Sequence, residues 1–158
     1  MAETNGRDQF AICTQECGGR CCRYITIEID APRSRRDWDC MRWWLAHEGV
    51  IVSKDEDGWN VHVETRCTNL RADNACAIYP HHMDTCEKYD ASMCEFTGPL
   101  DVDFEFTTEL DLARYIERRG LKRAAPIAKA IRRAERRRPK GAVAGLVQLR
   151  GLRRPRDA

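Results

Sequence analysis

Eight of the nine cysteines in this chain of 158 residues fall into two groups of four. Cys13, Cys17, Cys21 and Cys22 form the first, and Cys67, Cys76, Cys86 and Cys94 the second. So many sulfurs need a chemical occupation: a disulfide scaffold, a zinc site, an iron–sulfur cluster or a redox thiol pair. The opening residues lack a basic region followed by an apolar run, so no secretory leader is expected. No stretch approaches the roughly eighteen apolar residues of a membrane span. The expected compartment is therefore the cytoplasm, where structural disulfides are rare. An odd number of cysteines also leaves at least one unpaired in any intramolecular disulfide scheme. In that setting clustered cysteines point to metal.

Eight thiols in two fours is the stoichiometry of two tetrahedral sites or two cubane clusters. A helix over 13–17 would put Cys13 and Cys17 on one face. Gly18 and Gly19 would then break it and let backbone N–H groups approach an inorganic core. Adjacent Cys21 and Cys22 cannot easily point at one tetrahedral ion, so they are expected to serve different metals, or one is a spare. The paired C-x2-C spacing of an ordinary zinc ribbon is missing. A Cys–His catalytic pair is conceivable with His47, His62, His81 and His82, but clustered cysteines are more often ligands than nucleophiles. His81 and His82 lie between Cys76 and Cys86 and are either ligands or exposed loop residues after Pro80. Cys40 reads as a small buried apolar residue, and His62 as a surface residue.

The intervening pattern predicts an α+β fold. "YITIEID" alternates as a strand ended by Pro32. A Trp-rich helix carries Trp38, Met41, Trp44 and Leu45 at helical spacing, with Ser34 or Asp37 as its cap and Gly49 as its stop. "VIVSKDEDGWNVHVET" predicts a β-hairpin turning at Asp55–Gly58, with Trp59, Val61 and Val63 on one face. Cysteine-rich loops follow, with a tight turn at Asp73-Asn74. "DVDFEFTT" is a one-sided strand, and Thr108 with Asp111 resembles a capping box for a helix through Leu110, Ala113 and Ile116 to Gly120.

Charge divides the chain differently from its near-neutral total. Residues 1–113 hold 11 Lys+Arg against 22 Asp+Glu, net −11; residues 114–158 hold 16 against 3, net +13. The organisation expected is a small metal-centred domain over 1–120 and a basic helical tail over 121–158. In the tail, a helix with Pro126 in its first turn and Pro139 beyond its end would carry a thin stripe of Ile127, Ile131 and Ala134. The stretch from Lys140 shows no period and is expected to be mobile. Such a tail would bind nucleic acid or another polyanion by counterion release, or pack on the acidic body. Aromatic residues, which stack bases in single-strand binders, are absent from 116–158.

The spacing C13-x3-C17-x3-C21-C22, followed by C67-x2-L70, C76-A-I78-Y79, C86 and C94-E95, resembles the YkgJ-type cysteine cluster family. The "RW" helix at Arg42-Trp43 and the hairpin after it are similar too. The resemblance runs from Cys13 to about Gly120. It departs after Tyr79, where the family's Arg-Pro is replaced by His82 and Met83, so Pro80 is expected to set that turn. The resemblance implies a zinc- or iron-chelating domain, most simply a 4Fe-4S centre with zinc as the alternative. It also allows an oxidoreductase-like activity with an unidentified redox or protein partner. The proposed ligands are Cys13, Cys17, Cys21, Cys22, Cys67, Cys76, Cys86 and Cys94.

Overall fold

A computed structural model describes residues 9–81, 83–88 and 102–138. The protein has an α+β fold whose chain divides into two compact units. The described part of the first comprises residues 9–25, 64–81 and 83–88, and that of the second 26–63 and 102–138. Among the described residues no helix is long and apolar enough to cross a membrane.

The second unit is built on a four-stranded sheet in the order β1-β3-β2-β4, formed by Tyr24–Ile29, Val50–Asp55, Trp59–Glu64 and Val102–Phe106 in chain order. The expected hairpin is β2–β3, antiparallel with Val52 opposite Val61 and Lys54 opposite Trp59. Its turn forms because the Asp55 carboxylate accepts from the N–H groups of Asp57 and Gly58. β4 pairs antiparallel with β2, setting Phe106 opposite Val52. Strand alternation therefore puts Val52, Trp59, Val61, Phe104 and Phe106 on one face of the sheet.

Helices cover that face. α2 (Arg35–Leu45) begins at a capping box in which Ser34 and Asp37, the two cap residues the sequence suggested, act reciprocally. It buries Trp38, Met41 and Leu45 and leaves Trp43 exposed. α4 (Glu109–Arg118) starts at the expected Thr108–Asp111 box. It ends in a Schellman arrangement: Gly120 takes a left-handed φ of 59°, its N–H reaches Glu117 O, and Leu121 N–H reaches Ile116 O. α4 contributes Leu112, Ala113 and Ile116 to the core. Trp59 meets Trp38 edge-on at 6.0 Å, and Tyr115 packs 4.7 Å from Phe104.

α5 (Ala125–Glu135), with Pro126 in its first turn, packs against α4. Its apolar stripe is real but placed one residue differently from the expected one. Ile127, Ala128 and Ile131 are buried in the common core, whereas Ala134 is exposed. The described half of the basic tail is thus anchored by its apolar side, with its charges outward. The expectations for Pro139 and the stretch from Lys140 lie outside the described residues.

The opposite sheet face carries a polar row. Ser53 is 1% exposed and its Oγ lies 2.7 Å from His62 Nε2, while His62 Nδ1 lies 2.9 Å from Thr26 Oγ1. His62 is therefore half-buried and bonded across β2, β3 and β1, not a simple surface residue. Burial pushes its pKa below the ordinary histidine value, against the opposing field of Asp55.

Candidate metal centre

The first cysteine group is carried by a short, tightly folded segment. α1 (Gln9–Ala11) runs into a π turn over Ile12–Glu16, where Cys17 N–H reaches Ile12 O at 2.9 Å. The segment is helical, as expected, but wound one residue wider than an α-helix. Gly18 and Gly19 follow at φ of 68° and 65°, conformations that suit glycine. Gly19 N–H closes back on Cys13 O at 2.8 Å. A 3-10 turn over Arg20–Cys22 then presents the adjacent cysteines.

The second group is tied to this segment through backbone and one polar clip. Cys67 N–H donates to Cys22 O at 2.7 Å, and Thr65 N–H to Arg23 O at 3.0 Å. Leu70 and Cys76 form an isolated antiparallel bridge around the expected Asp73-Asn74 turn. Asn74, at a left-handed φ of 62°, donates from Nδ2 to Thr14 O and accepts from Arg23 Nη2. Arg23 also donates through Nε to Gly18 O. Cys86 sits in α3 (Asp84–Glu87), one exposed turn.

Arg23 and Asn74 were not singled out by sequence reasoning. The only local sign was the turn signature of Asp73-Asn74; nothing marked Arg23 as its partner 51 residues away. Gly19 is equally bound to this clip. A methyl group there would meet Leu70 Cδ1 at 3.0 Å and Asn74 O at 3.4 Å.

Electrostatics sorts the thiols into two neighbourhoods. The Cys21 thiol is pushed up to about 12, first by burial, then by the adjacent Cys22 thiol, and further by Cys17 and Cys13. Cys21 keeps an open edge to solvent while protein crowds its other sides. Cys22 is also raised, first by burial and then by Cys67, Cys76 and Cys86, with the Cys21 hydrogen bond pulling the other way. Cys13 and Cys17 thus act on the Cys21 thiol, and Cys67, Cys76 and Cys86 on that of Cys22. The Arg20 N–H already donates to Cys17 Sγ at 3.4 Å.

Among the described residues no three His, Cys, Asp or Glu side chains gather closely enough to hold a metal ion. Cys40 is half-buried on α2, in the other unit from the seven described cysteines of the proposed ligand set. His81 is exposed, and its N–H bonds Ile78 O. Cys94 and His82 lie outside the described residues. No family model, curated protein or solved structure matches the chain.

Proposed function

We propose that the first unit is a thiolate metal centre of a cytoplasmic protein, built for an iron–sulfur cluster. The observation that carries this reading is the fastening of the two cysteine groups to each other within one unit: Cys67 N–H donates to Cys22 O at 2.7 Å, and Asn74 joins Thr14 O to Arg23. Two adjacent cysteines cannot easily point at one tetrahedral ion, which suits two sets of ligands better than one. Cys22, Cys67, Cys76 and Cys86 would form one set; Cys13, Cys17 and Cys21 belong to the other, and Cys94 is assigned to the ligands by its spacing. The resemblance to the YkgJ-type cysteine cluster family supports the same eight residues.

The donor chemistry fits. All the groups are soft sulfur ligands, and repulsion among clustered thiolates is relieved by cations. Eight sulfur donors in two fours match two cubane cores as well as two tetrahedral zinc ions. When bound, an iron–sulfur group supplies one-electron redox chemistry. The protein's part is to hold the thiols, crowd out water and direct N–H groups such as that of Arg20 toward sulfur.

Zinc is the second reading, because the same soft thiols are the ligands of closed structural zinc sites. Iron, zinc and acid-labile sulfide per chain after anaerobic purification separate the two. Iron with equal sulfide supports the cluster and turns attention to a redox partner. Zinc without sulfide replaces it with a structural site, and neither metal at stoichiometric level overturns the proposal.

A further inference from the structure

We propose that the outer face of α5 binds the phosphate backbone of double-stranded nucleic acid. The inference is independent of the thiols. Lys129, Arg132, Arg133, Arg136 and Arg137 recur at helical spacing and, with Glu117, line a shallow groove of about 600 Å³. The buried Ile127, Ala128 and Ile131 hold the opposite side of the helix in the core. The cations are thus displayed on a fixed scaffold, not on a loose strand.

Internal pairing accounts for only part of this charge. Arg132 is held by Glu117 through two hydrogen bonds, of 3.1 and 2.6 Å, and Arg138 reaches Glu109 and Glu135. Lys129, Arg133, Arg136 and Arg137 are exposed and have no carboxylate partner among the described residues. A helix C-terminus favours basic residues in its last turn, which explains one or two of them. It does not explain a row running two turns back.

Scale and composition select the partner. From Lys129 to Arg136 the helix rises about 10 Å, which spans about three phosphate steps at 3.4 Å per strand. The groove has no aromatic residue on which an unpaired base could stack. Its side chains, apart from Glu117, are all cations, the groups that make most contacts to phosphate oxygens. An acidic protein segment is the competing partner; it lacks the regular phosphate spacing that a rigid row of cations matches.

The test uses the full chain and a short fluorescein-labelled DNA duplex of mixed sequence, read by anisotropy over a series of KCl concentrations. Binding should weaken steeply with salt, with a log–log slope near 0.9 per phosphate neutralised. The triple variant Arg133→Gln/Arg136→Gln/Arg137→Gln should lower that slope by about 2–3. A matched variant, Arg33→Gln/Arg35→Gln/Arg36→Gln, removes three charges elsewhere and should leave it unchanged. Glu117→Gln releases Arg132 and should tighten binding, steepening the slope by about 1, a gain that loss of fold cannot imitate. Absence of duplex binding, equal slopes in the α5 and matched variants, or weaker binding by Glu117→Gln would overturn the proposal. So would preferential binding of a single strand of the same length, or displacement of the duplex by poly-glutamate at equal charge.

Discussion

Cys21 and Cys22 are adjacent and burial raises both thiols, yet different companions add to it: Cys13 and Cys17 at Cys21, and Cys67, Cys76 and Cys86 at Cys22. The relationship arises because the 3-10 turn over Arg20–Cys22 rotates successive side chains by about a third of a turn. The Cys67 N–H bond to Cys22 O then draws the second group toward Cys22.

That division makes a ligand test specific. Cys22→Ser and Cys76→Ser should each lose most of the bound metal and reduce soluble yield, because small thiolate domains draw much of their folding free energy from the ion. Cys40→Ser, on a helix of the other unit, should retain the wild-type metal content. Metal per chain, measured on the soluble fraction of all three variants, decides the assignment. A soluble, fully metallated Cys76→Ser protein would sink it.

Gly19 and Gly120 share a left-handed backbone but not their surroundings. Alanine at either position carries the conformational cost of about 1–2 kcal/mol. At Gly120 a Cβ meets nothing within 4 Å, so the cost should stop there. At Gly19 it meets Leu70 at 3.0 Å and presses on Asn74, so Gly19→Ala should destabilise more and also lower metal content. Urea unfolding of the two variants, with metal analysis alongside, checks the contrast.

The interior of α5 and its surface should respond in opposite ways to truncation. Ile131→Ala removes a buried side chain from the shared core and should cost about 2–5 kcal/mol. Arg133→Ala, exposed on the other side, should stay within about 0.5 kcal/mol. Equal, small effects in thermal melts would mean that α5 is not part of the core.

His62 should make the second unit sensitive to acid. Burial holds its pKa below the ordinary value, so the folded protein keeps the ring neutral where the unfolded chain, titrating near 6.5, already takes a proton. The unfolded state then binds more protons, and stability rises with pH through that window. It should be greatest above about pH 6.5 and fall as pH drops toward the folded pKa. Replacing the ring by His62→Gln should flatten this part of the profile. Urea midpoints at a series of pH values test it, and an unchanged slope in the variant would assign the acid sensitivity elsewhere.

The chain's local elements were legible in the sequence by itself. The period-two alternation of Val102, Phe104 and Phe106, the Ser34–Asp37 and Thr108–Asp111 caps, and the Asp55–Gly58 turn depend on residues a few positions apart. Their hydrogen bonds form or fail locally, so spacing is enough to find them. The number and grouping of the cysteines are read directly from the sequence as well. Only the tertiary structure decided which distant groups meet. It set Arg23 on Asn74, Ser53 and Thr26 on His62, and Ala128 in place of Ala134 against the core. Those outcomes depend on strand register and on where a helix face finds its cover, and both are fixed by closure of the chain over long separations.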